Sequence, residues 1–244
     1  MAKAARETSR SARDSRGAAV NLLRRRQTLV VVLTFVTGAA DAMGFLALGG
    51  AFSSVMTGNM VLLGLSVGRA DGELALTSAA ALGSFVVGVL LGAHLAGVPE
   101  KQDPVWPRAV NRALLLEAVV FTAFTVTWET TGSSRSANLQ LGLLMMSATA
   151  LGIQSSAIQR LGVSGLSSTY LTGTLTALIG AVAARSPRTV LLPKAEILLA
   201  LIVGAGVGAV VSRHLALLAP ALLLIPLLGV ILVSSRLSRT PAEG

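Results

Sequence analysis

Asp41 is the residue from which chemistry could start. It sits near the middle of an apolar run from Thr28 to Gly50, where an acidic side chain costs roughly 2.5–3.5 kcal/mol on membrane-insertion scales. Such a carboxylate must be offset by partners. On a helix, Thr34, Thr37, Gly38, Asp41, Gly44 and Phe45 share one stripe at spacings of three and four. That predicts a small, partly polar face turned to the interior of a helix bundle. Two readings stay open: a proton- or cation-handling carboxylate at the membrane midplane, or a structural acid that locks two helices through a hydroxyl, amide or Arg.

A second group of residues occurs twice. Val55-Met56-Thr57-Gly58-Asn59-Met60 matches Tyr170-Leu171-Thr172-Gly173-Thr174-Leu175 at an offset of 115 residues, which also places Gly50 on Gly165 and Ser53 on Ser168. Both copies lie in short apolar stretches broken by polar residues and glycine. Such segments at matching places in two halves point to a transporter's binding site. Thr57, Gly58 and Asn59, with Thr172, Gly173 and Thr174, would supply flexible backbone and hydroxyl or amide groups where a broken helix turns its amide dipoles toward a ligand. The alternative is that glycine only permits close helix packing and the hydroxyls bond to their own helix. Gln154, Ser155 and Ser156 form a polar cluster whose repeat position falls on or beside Asp41, so they would line the same cavity from the other half. Gln159 and Tyr170 are expected near span ends.

The remaining polar residues read as boundary features. Glu117 and Glu196 are expected within about a turn of the starts of their spans, where snorkelling and a helix N-terminus ease the charge. His94 and His214 are expected near span ends with no partner at metal-ligand spacing. Pro220 and Pro226 are expected to kink or shorten the last span. The pairs Gly64 and Gly68, Gly88 and Gly92, and Gly204 and Gly208 permit close helix crossings, internally or on the face of a homo-oligomer. Gly162-Val163-Ser164-Gly165 is similar to the nucleophile motif of intramembrane rhomboid proteases, with His214 downstream as a conceivable base. Against an intramembrane serine protease, Ser164 sits in a turn between apolar stretches and His214 adjoins Arg213. A non-enzyme without cofactor or metal is expected.

The elements that must position these residues are membrane helices. Of 244 residues, 53% are hydrophobic and 13% charged, and the mean hydropathy is +0.74, a poor fit to a soluble domain. Eight apolar stretches fall near 28–50, 52–68, 74–97, 112–128, 137–158, 167–184, 193–212 and 215–234. Aromatic residues are only 4%, and no short alternating strands of a barrel occur, so the fold expected is all-α, with one polytopic membrane domain over 28–235. Its repeat halves are about 28–128 and 137–235. Residues 1–27, rich in Arg and Ser, are expected as a disordered basic cytoplasmic tail, and 236–244 as a short one. The absence of cysteine excludes disulfides, thiolate nucleophiles and iron–sulfur clusters. The net charge of +9 is explained by the cytoplasmic bias of Lys and Arg in membrane loops, so no nucleic-acid partner is expected.

Loop charges bear on topology. With the N-terminus inside, eight spans put fifteen Lys and Arg on the cytoplasmic side and five outside; six spans plus two re-entrant segments give seventeen and three. The positive-inside rule favours the second arrangement, in which the halves are inverted repeats and both termini are cytoplasmic.

At these residues the chain resembles the YoaK family of bacterial polytopic membrane proteins, also known as domain of unknown function 1275. The resemblance rests on Phe35-Val36-Thr37-Gly38, Asp41-Ala42, Phe45-Leu46, Leu48-Gly49-Gly50, Phe52, Met56-Thr57-Gly58-Asn59 and Leu63-Gly64. A second block, Ser168-Thr169-Tyr170-Leu171-Thr172-Gly173-Thr174-Leu175, extends it to about 28–235. Val55 stands where the family often has Asn. The resemblance implies an integral membrane protein and no particular activity. The function expected from the residues is a secondary transporter, or a channel, for a small polar solute or ion, with its site near the midplane where Asp41 and the two Thr-Gly segments meet; the alternative is a non-transporting membrane scaffold or partner subunit, with Asp41 satisfied by a neighbouring side chain.

Overall fold

The computed structural model describes residues 2–99, 103–132, 135–161 and 171–237. All regular structure in them is helical: α1 (Ala2–Ala47), α2 (Met56–Arg69), α3 (Gly72–Ala96), α4 (Arg108–Thr131), α5 (Ala137–Arg160), α6 (Leu171–Ala183), α7 (Arg188–His214) and α8 (Ala221–Leu237), with a short 3-10 turn at Ala216–Leu218. Six segments, within α1, α3, α4, α5 and α7 and from Ala216 through α8, are long and apolar enough to cross a membrane. Helices α2 and α6 rise only about 20 Å at 1.5 Å per residue, short of a hydrocarbon core of roughly 30 Å.

α1 is helical from Ala2, so the basic segment expected as a disordered tail continues the first span's helix. Ala and Arg are strong helix formers; the missing apolar periodicity there speaks to burial, not to helix. α4 starts at Arg108, four residues before the apolar run.

Close contacts fix the directions of the helices. Gln154 Nε2, on α5, donates to Leu33 O (3.3 Å) and Thr37 Oγ1 (2.8 Å) on α1, whereas a Cβ on Gly44 would meet Leu144. Numbering rises along one helix as it falls along the other, so α1 and α5 are antiparallel. By the same reasoning α3 is parallel to α5, through Thr149 on Ser84 and Ser156 on Val89. α7 is parallel to α1, since a Cβ on Gly204 or Gly208 would meet Phe35 or Ala39 respectively.

Re-entry follows from these directions alone. α1 ends and α3 begins at one end of the bundle, so residues 48–71, α2 included, leave and return at that end. α5 ends and α7 begins at the opposite end, so the chain through α6 does likewise. The fold is six spans with two re-entrant segments, one from each end. Trp128 Nε1 donates to Ala216 O (2.8 Å) and Ser234 Oγ to Asn111 Oδ1 (2.7 Å), which sets α8 antiparallel to α4.

The internal repeat is a packing symmetry. A Cβ on Gly88 would lie 2.9 Å from the carbonyl carbon of Thr149, and one on Gly204 2.9 Å from that of Phe35. Gly152 and Gly38 correspond as well: a Cβ on either would lie 2.9 Å from a main-chain nitrogen, of Val89 and Ala205 respectively. A Cβ on Gly92 or Gly208 would lie 2.8 Å from the carbonyl oxygen of Ile153 or Ala39 respectively. The third helix of each half therefore crosses the first helix of the other through the same glycine contacts. In a bilayer, where lipid tails are as apolar as leucine, such backbone approach is what holds helices together.

Candidate functional site

The site is built where α1 meets α5 and the first re-entrant segment. Thr34, Thr37, Gly38, Asp41 and Gly44 are all buried, as their stripe predicts. Phe45 departs from it: the ring is exposed and stacks on Phe52 with centroids 4.9 Å apart. Past the end of α1, Gly49 (φ +101°) and Gly50 (φ +77°) adopt left-handed backbone conformations that favour glycine, and the chain turns back along α1.

Asp41 receives the returning chain. Its Oδ1 accepts from the Ser54 main-chain N–H at 2.7 Å and its Oδ2 from Ser54 Oγ at 2.6 Å, and the N–H groups of Ser53 and Val55 also face it. Ser53 Oγ donates to Ala40 O at 3.3 Å. Asp41 lies about 9 Å from the end of α1 by helical rise, so α2 begins inside the bundle. Asn59 completes the turn: its Nδ2 donates to Phe52 O (2.7 Å) and its Oδ1 accepts from Phe52 N–H (2.9 Å). One turn along α1 from Asp41, the Thr37 hydroxyl donates to Leu33 O and accepts from Gln154. Gln154 Oε1 is buried with no hydrogen-bond partner. A polar line thus runs from Gln154 through Thr37 to Asp41 and Ser54.

The expected site residues divide accordingly. Asp41, Thr37, Asn59 and Gln154 are gathered here. Thr57 and Gly58 sit in the first turn of α2, with Thr57 exposed. Thr172, Gly173 and Thr174 fall in the equivalent turn of α6, the first two exposed and Thr174 buried. The two Thr-Gly turns are not brought against each other: α2 packs on α3, α6 packs on α7, and no comparable α2–α6 packing occurs among the described residues. Ser155, the counterpart of Asp41 at the 114-residue offset of Gly38 and Gly152, is half-buried. Ser156 Oγ donates to Val89 O at 2.8 Å and so ties α5 to α3 instead of lining a cavity.

Other polar residues fall in unexpected places. Glu117 is not at a boundary; it is 0% exposed, and both carboxylate oxygens are buried without a hydrogen-bond partner. The earlier start of α4 moves it into the third turn. Glu196 also falls in the third turn of its helix, α7, but it is exposed and accepts from Gln27 at 2.6 Å. A cavity of about 480 Å³ lies between the ends of α1 and α7 and includes Leu46, Arg213 and His214 in its wall; a polar one of about 240 Å³ at the opposite end is lined by Arg26, Asp103 and Arg160. Neither reaches Asp41. Ser164 and Tyr170 lie outside the described residues.

Sequence reasoning missed Ser54 as the partner of Asp41. The signal was present, since serine just before a short apolar helix marks a helix start, but nothing in the chain says which acid would meet it. It also missed the Arg160–Asp103 ion pair (2.8 Å), which joins the end of α5 to the segment before α4.

A comparison with solved structures finds no match. Among curated proteins, the chain is similar to the UPF0700 transmembrane protein YoaK of Bacillus subtilis (strain 168), 37% identical over 161 residues, covering 66% of this chain and 68% of that protein. The family described as "Protein of unknown function (DUF1275)" matches residues 29–234, the whole membrane bundle including both re-entrant segments. With six apolar spans and that coverage, the chain is a multi-pass membrane protein that belongs to the DUF1275 family.

Proposed function

We propose that the protein is a secondary transporter, or a channel, for a small polar solute or ion, with Asp41 as the carboxylate that couples movement of the first re-entrant segment to occupancy of the path. The observation that carries this reading is the pairing of two inverted halves, each with a short helix that enters and leaves at one end of the bundle. That is the architecture in which transporters place sites near the midplane and alternate access by moving one repeat against the other. The polar residues Gln154, Thr37, Asp41 and Ser54 supply buried hydrogen-bonding groups where α1 of one half meets α5 of the other. Asp41 closes the turn before α2, so passage requires that Ser54 be released. Thr57, Gly58 and the equivalent turn at Thr172, Gly173 and Thr174 are the elements that would move.

Orientation follows from charge. Arg24, Arg25, Arg26, Arg108, Arg112, Arg160 and Arg188 lie at the end where the first span begins and α8 ends, against Arg69, Arg135 and Arg213 at the other. The positive-inside rule assigns the first end to the cytoplasm of a cell membrane. The test is uptake into proteoliposomes from a panel of small polar solutes and ions, comparing wild type with D41N. Uptake that needs Asp41 supports the reading; absence of uptake for every solute and ion tested counts against it. A non-transporting scaffold has one observation in its favour: Asp41 is already satisfied by Ser54.

A further inference from the structure

A second acid lies deeper than Asp41 and is treated quite differently by its surroundings. Glu117 sits in the third turn of α4, on the face that carries Ala113, Leu114, Phe121 and Phe124, all fully buried. Its own side chain is 0% exposed, and neither oxygen has a hydrogen-bond partner. Asp41, by contrast, has both oxygens engaged by Ser54. The elements packed on α4 are α3, α5 and α8. Their charged or titratable side chains, Glu73 and His94 on α3, Arg160 on α5 and Arg236 on α8, stand in terminal turns, and Arg160 is paired with Asp103. On α4 itself Arg108, Arg112 and Glu129 are exposed.

An ionised carboxylate removed from water needs donors or a counter-charge; without either, the neutral acid is the form that survives burial. We infer that Glu117 is a proton-binding site of the membrane domain, occupied in this arrangement as the uncharged carboxylic acid. The ligand is a single proton, taken up by one carboxylate oxygen with no bond to carbon made or broken. Asp41 and Glu117 then have separate roles: the first holds the re-entrant segment, the second binds and releases charge. This holds whether or not the transport reading does.

The experiment is infrared spectroscopy of the full chain in liposomes. At neutral pH a protonated-carboxyl C=O band is expected that shifts on labelling with carbon-13 glutamate, is lost in E117Q and persists in D41N. Raising the pH should bleach the band reversibly as the carboxylate bands grow. Because the isotope shift is read on wild type, the assignment to glutamate stands even if E117Q fails to fold, and the other glutamates whose side chains the structure describes, Glu73, Glu129 and Glu196, are exposed. The inference is overturned if no glutamate band of this kind is present at neutral pH. It is equally overturned if the band stays unchanged up to the pH at which the protein unfolds, since a group that never exchanges its proton binds none.

Discussion

The glycine crossings set up a sharp test of the inverted repeat. Replacing Gly88 or Gly204 by alanine inserts a Cβ 2.9 Å from the carbonyl carbon of Thr149 or Phe35, where ordinary contact begins at 3.4 Å. The carbonyl oxygen of that residue lies closer still, and as helix backbone it cannot rotate away, so two packed helices must part by about an ångström along much of their length. Overpacking of this kind costs about 1–3 kcal/mol, against which the better helix propensity of alanine returns at most about 1 kcal/mol. Gly64 and Gly180 serve as controls, because a Cβ at either meets nothing within 4 Å. Trp106 and Trp128, the only tryptophans in the chain, are each 1% exposed, so their fluorescence reports melting in detergent. G88A and G204A should melt lower than wild type, by on the order of 5 °C and by similar amounts, while G64A and G180A stay level or rise. The reasoning fails if the two crossing variants melt as wild type does, if only one of them falls, or if the controls fall as far.

Further outcomes follow from the same contacts. Asp41→Ala removes both acceptors of Ser54, each worth about 1.5–3 kcal/mol as a bond to a charged group; in the cysteine-free chain, a cysteine at the buried position 53 should then react with maleimide at least about tenfold faster, and an unchanged rate would show that Asp41 does not hold the turn. Asn59→Ala leaves the Phe52 N–H and C=O unmet, a loss of about 1–3 kcal/mol, read as a lower tryptophan melting temperature. Cysteines placed at Asp71 and Arg188 should react with an impermeant reagent from opposite sides of the membrane, Asp71 from outside; labelling of both from one side would restore the eight-span topology. Arg135→Ala removes a guanidinium 3.6 Å above the Trp128 ring, a contact of about 0.5–1 kcal/mol, and should shift that tryptophan's emission with little change in melting.

Much of the fold is legible in the residues. Runs of about 20 apolar residues mark the spans because a bilayer core has a fixed thickness, and the short, glycine-broken runs at 52–68 and 167–184 mark the re-entrant segments because they cannot cover it. The loop charges favoured six spans with two re-entrant segments, and the helix directions agree. The stripe from Thr34 to Gly44 faced inward as its spacing required. Phe45 did not, because a stripe gives an angle around the helix axis and says nothing of where the neighbouring helices end. Glu117 was misplaced because hydropathy dates a span from its first apolar residue, whereas α4 begins at Arg108 with polar residues.

What the chain alone determined is therefore the solvent, the places of the apolar runs and the likeness of its two halves, since these depend on local composition and on distances along the sequence. Only the tertiary structure decided that the two Thr-Gly turns stay apart, that Asp41 is answered by Ser54, and that Glu117 is answered by nothing. Those are relations between residues from 13 to more than 100 positions apart. They arise from the rotation and depth at which helices pack, and neither quantity is written in any single segment.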